Sequence, residues 1–302
     1  MIDGFINLNK KKGVTSHDEV DFVRKIFSTK KVGHSGTLDP FATGVLVMAV
    51  NKGTRFLEYL SSDSKKYHVK AKLGEITDTF DVTGIIQEKN EVLPDQKEKV
   101  FDILKSFLGE YMQTPPAYSA KKYKGKKLYE YARKGEIINL PPKKVEIISI
   151  EKFKQEGIFF EFEVEVSSGT YIRSLVMDLG YKLGCGAVTM ELERTKCGFF
   201  DISNSVNEEN INEDSILPIE RVLNFPRIKV KNGEKVKNGI QIYKNDLIEY
   251  DNFNKDSKVK IFDENNDFIG VGKAEKNSIF VDTIQKNEER NDRIVKISKI
   301  LR

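Results

Sequence analysis

What this chain has little of narrows it quickly. It holds two cysteines, Cys185 and Cys197, and neither has a partner at metal-ligand spacing, so they are expected to pack as small reduced hydrophobes and to hold no metal. No apolar run approaches the roughly 20 residues a membrane-crossing helix needs, which argues against a membrane partner. The opening residues Met1 to Leu8 lack a basic stretch followed by a long apolar one, so nothing points to export and a cytoplasmic protein is expected. There is no internal repeat and no low-complexity tract. The formal net charge of +4 is by itself a weak argument for a nucleic-acid partner.

What is present describes a folded globular chain. Its 302 residues are 39% hydrophobic and 32% charged, enough for one large domain or for a large one with a smaller one. The charge is uneven along it. Residues 1–225 carry 33 basic and 33 acidic side chains, whereas residues 226–302 carry 17 and 13, so the whole excess is C-terminal. Pro226 marks the expected border between a domain over 1–225 and one over 226–302.

Periodicity assigns the elements. Phe5–Leu8, Val45–Val50, Tyr67–Leu73 and Phe160–Val166 read as strands, the last two by alternation. Ser16 with Glu19 predicts a capping box opening a helix whose apolar side holds Val20, Val23, Ile26 and Phe27. Thr54 to Leu60 predicts a short helix, residues 94–108 a longer one through Val100, Ile103, Leu104 and Phe107, and Ile172 to Leu183 another. After Pro226, short runs around Ile228, Val259, Phe268 and Ile279–Val281, broken by Asn, Asp and Gly, predict a small all-β barrel or sandwich. The class expected is α+β.

Three places carry candidate chemistry. The stretch Gly33-His34-Ser35-Gly36-Thr37-Leu38-Asp39-Pro40-Phe41-Ala42-Thr43-Gly44 sets a carboxylate and an imidazole on a loop rich in glycine, anchored by a strand. A solvated Asp-Pro turn is the bland alternative. Lys121, Lys122, Lys124, Lys126 and Lys127 are interleaved with tyrosines, which suits a phosphate backbone with stacking bases or, equally, a solvated turn. Arg173 falls in the first turn of its helix, where the dipole disfavours a cation unless an anion holds it there. Asp78, Asp81 and Gly84 lack the spacing of a calcium loop and read as turn chemistry.

The loop string resembles the G-H-x-G-x-L-D-P-x-A-T-G motif of the TruB family of tRNA pseudouridine synthases. Lys65-Lys66-Tyr67, Leu73-Gly74, Thr77-Asp78-Thr79, Pro115 to Lys122 and Ser168-Gly169-Thr170-Tyr171-Ile172-Arg173 resemble further motifs of that family in its order, over residues 4–222. The tail is similar to the PUA-type RNA-binding domain of bacterial members. The resemblance implies a pseudouridine synthase fold: a central mixed, largely antiparallel sheet flanked by helices, followed by a small PUA-like barrel. It implies isomerisation of a T-arm uridine in tRNA by base flipping, glycosidic cleavage and rejoining through C5. No cofactor is implied, and the chain is expected to act as a monomer without an obligate protein partner.

The same resemblance implies roles for residues. Asp39 takes the essential carboxylate position, as nucleophile or as base for the C2′ proton, with Arg173 as a cation offsetting the cost of its burial. Tyr67 takes the position that stacks on the flipped base and can receive the C5 proton. His34 takes that of the residue filling the vacated space, and Tyr171 and Leu192 match uridine contacts. Two departures stand out: Asn9 to Gly13 replaces an Asp-Lys-Pro turn, and Glu193 stands where a second basic residue is common, which puts RNA contacts there in question. An RNA-binding or tRNA-folding module, and a guide-dependent subunit of an RNA-protein particle, are the alternatives.

Overall fold

The computed structural model describes residues 3–60, 64–138 and 140–301. These fall into two compact units, one up to Ile216 and one from Leu217 on, a division upstream of Pro226. In the first, nine strands share one sheet: β1 (Gly4–Lys10), β2 (Val32–His34), β3 (Thr43–Val50), β4 (Lys65–Leu73), β5 (Gly109–Gln113), β6 (Lys143–Glu156), β7 (Phe159–Val166), β8 (Ala187–Cys197) and β9 (Phe200–Asp201). Their spatial order is β1-β3-β8-β4-β7-β6-β5, with β2 joining β3 and β9 joining β8. All pairings are antiparallel except β3 with β8, so the sheet is mixed and largely antiparallel as expected.

Alternation decides which face is buried. On β7, Phe160, Phe162, Val164 and Val166 point inward, and on β4 Tyr67, Val69, Ala71 and Leu73 do the same. Helices close that core: α1 (Ser16–Ile26) through Val20 and Val23, α2 (Ile172–Leu183) through Ile172, Leu175, Val176, Leu179 and Leu183, and a short helix through Val100 and Leu104. Each fully buried aliphatic or aromatic side chain there contributes about 1.5–3 kcal/mol of transfer free energy. On β4, β6, β7 and β8 the other face carries lysines and glutamates, whereas β1 and β3 are buried on both faces.

Several elements differ from expectation. The capping box is Thr15 with Asp18, one residue earlier than predicted, because Ser16 is buried and its hydroxyl bonds both the N–H (2.9 Å) and the carbonyl (3.0 Å) of Leu38. Residues 94–108 form two short helices, Pro94–Glu98 and Val100–Lys105; the first buries no side chain, so no core packing continues the second helix's apolar face along it. Residues Asn51–Tyr59 form a 3₁₀ rather than an α-helix.

In the second unit, β10 (Arg227–Val230), β11 (Ile242–Tyr243), β12 (Leu247–Tyr250), β13 (Lys258–Phe262), β14 (Phe268–Ala274) and β15 (Arg293–Ile300) make a barrel-like sheet in the order β11-β15-β14-β13-β10-β12. Ile228, Val230, Val259, Ile261 and Ile269 fill its core. The run Ile279–Val281 belongs to a helix, α3 (Ser278–Ile284), not a strand, because the Asn277 side chain caps the Phe280 N–H at 2.8 Å.

Candidate active site

Asp39 sits on the loop between β2 and β3, and that loop is fastened at several of its carbonyls. Lys10, fully buried at the end of β1, donates its ammonium to Ala42 O (2.7 Å), Lys11 O (2.9 Å) and Pro40 O (3.4 Å). Gly13 N–H also reaches Pro40 O at 2.8 Å. Arg194 on β8 binds Gly36 O (3.0 Å) and Val45 O (2.7 Å). Gly44 closes the loop with φ +97°, and a Cβ there would lie 2.4 Å from Arg194 O, so glycine is required by both conformation and space. The departures at Asn9 and Lys11 serve the same rim: Asn9 donates to Asn207 Oδ1 (3.2 Å) and Lys11 pairs with Glu208 at 2.7 Å.

Arg173, the second residue of α2, meets Asp39 in a two-pronged pair: Nε to Oδ2 at 2.9 Å and Nη2 to Oδ1 at 3.0 Å. It is also bound by Asp81 Oδ2 (3.3 Å), Thr79 O (2.6 Å) and Tyr118 O (2.9 Å). The anion expected at that helix position is therefore two carboxylates. Asp81 does more than shape a turn: while its Oδ1 accepts from the Thr83 N–H (2.9 Å) and Thr79 hydroxyl (3.0 Å), its Oδ2 completes the arginine's surroundings. The Arg173 and Asp81 side chains are each 4% exposed and Asp39 is 34% exposed, so only Asp39 faces outward.

Burial pushes the Asp39 carboxyl above the ordinary carboxylate range, against the pull of Arg173, with Asp81 adding to the rise. The arginine offsets burial only in part, because Asp81 shares its charge. Burial likewise pushes the Tyr67 phenol up, opposed by the Arg194 guanidinium. His34 is pushed down, by burial and then by Arg194.

A cleft of about 440 Å³ opens over Asp39, lined by Tyr67, Tyr171, Leu192, Arg173 and Arg194 among others. Its other charged lining residues are Lys65, Lys121, Lys143, Arg173 and Arg194, so Asp39 is the one acid in a cationic wall among the described residues. Gln113 on β5 fixes the entry to α2, accepting from Tyr171 N–H (2.8 Å) and donating to Tyr171 O (3.0 Å). His34 does not line this cleft. It lines a neighbouring one of about 510 Å³ that shares Asp39, Ser119 and Arg173 with the first.

The lysine segment forms a two-stranded hairpin, Lys122–Tyr123 with Lys126–Lys127. Lys121 lines the first cleft and Lys127 the second; Lys122, Lys124 and Lys126 are exposed and line neither. The interleaved tyrosines are partly used within the hairpin, Tyr123 and Tyr131 packing edge to face at 6.1 Å. Glu193 stands opposite His68 in the sheet, on the face away from Leu192 and Arg194, so the missing basic residue takes nothing from the cleft wall. Sequence reasoning missed Asp81, Gln113 and the clamps made by Lys10, Ser16 and Arg194. For Arg194 a signal existed: on an alternating strand it shares a side with Leu192.

A cationic cleft with one clamped aspartate and a tyrosine, built on a mixed sheet packed by α1 and α2, has the architecture of the pseudouridine synthase class. Family models match along most of the chain: the TruB family pseudouridylate synthase N-terminal domain over residues 24–172 and the tRNA pseudouridylate synthase B C-terminal domain over residues 173–224. The tRNA pseudouridine synthase B of Thermosipho melanesiensis is 49% identical over 307 residues, and that of Thermotoga maritima 48% over 308, each covering 99% of both chains. Among solved structures, a chain of a Cbf5-Nop10-Gar1 complex is 27% identical with a TM-score of 0.71, over 98% of this chain and 84% of that one. The chain belongs to the TruB family of pseudouridylate synthases.

Proposed function

We propose that this chain is an isomerase that converts a uridine in the T arm of tRNA to pseudouridine. The C1′–N1 bond breaks, the uracil turns, a C1′–C5 bond forms, and the proton lost from C5 is matched by one gained at N1. Atoms balance within the substrate, so no co-substrate is consumed, and the reading assigns the step no cofactor or metal. The observation that carries this reading is the Asp39–Arg173 pair on the floor of a cleft whose other charged lining is cationic.

Asp39 acts on the ribose, as nucleophile at carbon or as base for the C2′ proton; either needs its ionised form and its one-third exposure toward the cleft. Tyr67 stacks on the everted base, with Tyr171 and Leu192 as further contacts. His34, in the adjoining cleft, occupies the place the base leaves, at an unstacking cost of a few kcal/mol. Lys121, Lys122, Lys124, Lys126 and Lys127 contact phosphates. We assign catalysis to residues 1–225 and a supporting grip on tRNA to residues 226–302. The chain works in the cytoplasm as a monomer, with no obligate protein partner.

The test is chemical mapping of pseudouridine in a tRNA transcript, and in a T-arm hairpin, after incubation with the purified chain. One new pseudouridine in the T arm of both is expected. Absence of product from the chain alone would favour a guide-dependent or purely RNA-folding role.

A further inference from the structure

Arg194 is among the largest side chains buried within the first unit, 1% exposed, and among the described residues it makes no ion pair with a carboxylate. Its acceptors are the carbonyls of Gly36 and Val45. A buried guanidinium without an anion is costly, and such a group is kept where something in the site needs it. Arg194 stands directly across from Tyr67 in the β8–β4 register and lines the same cleft, and its positive charge opposes the upward push that burial gives the phenol. Gly36 and Val45 lie on either side of Asp39 in the chain. One planar fork thus binds both shoulders of the Asp39 loop from the strand position beside Tyr67.

We propose that Arg194 is a positioning residue that sets Tyr67 relative to Asp39, holding the phenolic oxygen at a fixed place over the base while clamping the loop. This inference rests on the isomerase reading above. Its consequence is that Arg194 acts on turnover only through Tyr67 and the loop geometry, so the two residues form one unit in kinetics. Lysine cannot replace it, since one ammonium cannot present the same planar set of donors.

The experiment is a double-mutant cycle with Arg194→Met, Arg194→Lys and Tyr67→Phe, reading single-turnover pseudouridine formation, tRNA binding and the pH–rate profile, with thermal melts to verify folding. Expected is a loss of roughly 100-fold for Arg194→Met, with tRNA binding within about threefold of the parent, and little rescue by lysine. In the Tyr67→Phe background the Arg194 substitutions should cost at least about tenfold less than in the parent, the remainder being the loop clamp, and the alkaline side of the pH profile should move in the single Arg194 variants only. Multiplicative losses, an unmoved pH profile, or loss of folding in both Arg194 variants would overturn the proposal and leave a structural clamp. An inactive parent chain would instead overturn the isomerase reading, so the two failures are distinguishable.

Discussion

Both sides of the central sheet carry charged groups and use them in opposite ways. On the open face, Lys66 pairs with Glu151 and Glu163, Lys152 with Glu163, Lys154 with Glu161 and Lys70 with Glu191, at 2.7–3.1 Å. These charges are neutralised by neighbours, and at least one partner of the Lys152, Lys154 and Lys70 pairs stays open to water. On the packed side, Arg194 of β8 and Arg173 of α2 are buried and the cleft keeps a surplus of cations around one acid. Surface ion pairs contribute little to stability, whereas breaking a buried pair leaves an uncompensated charge in a poor solvent. The lesson is that charge on the packed face is arranged for a polyanionic ligand and on the open face for solubility.

The contrast between the faces breaks most visibly at Arg173. Arg173→Met should abolish turnover and destabilise the fold by about 3–5 kcal/mol, because Asp39 and Asp81 would both lose their cation; urea unfolding checks this, and a stability change below about 1 kcal/mol would contradict it. Next comes the hairpin. Replacing Lys121 and Lys127 by alanine should weaken tRNA binding and reduce its salt slope by about one for each phosphate no longer neutralised, measured by titration at several salt concentrations.

A smaller effect is expected at Glu19, buried in α1 beside Lys10. Burial pushes its carboxyl up to about 7, and the neighbouring Glu208 adds to this while Lys10 opposes it. The folded chain holds a proton there that the unfolded chain releases near 4.5, so stability should fall as pH rises from about 4.5 through about 7. Glu19→Gln should flatten that slope in thermal melts. Smallest of all, removing the Lys70–Glu191 pair on the open face should change stability by less than about 1 kcal/mol and leave tRNA modification unchanged.

Much of this is legible in the sequence alone. The glycine-framed loop, the alternating strands and a cation in the first turn of α2 all follow from local patterns, which single out Asp39 and Arg173; Tyr67, Tyr171 and Leu192 follow from the family resemblance, and all five line one cleft. What stays hidden depends on register between distant segments. Ser16 reads as a helix cap until Leu38 is seen beside it, and Asp81 reads as a turn until Arg173 arrives from α2. Glu193 reads as a gap in the RNA-binding wall until its strand shows which face it takes. Local rules also fail where tertiary context outweighs them, as in the broken helix over 94–108 and in α3, where an asparagine cap turns a β-like run into a helix.

The most direct measurement is single-turnover pseudouridine formation by Asp39→Asn across pH, alongside tRNA binding and a thermal melt. Asparagine keeps the shape, and Arg173 keeps Asp81, so the variant should fold, bind tRNA within a fewfold of the parent and form no product; the parent's acid limb should lie above the ordinary carboxylate value of 3.8. Undiminished product from Asp39→Asn would contradict the account.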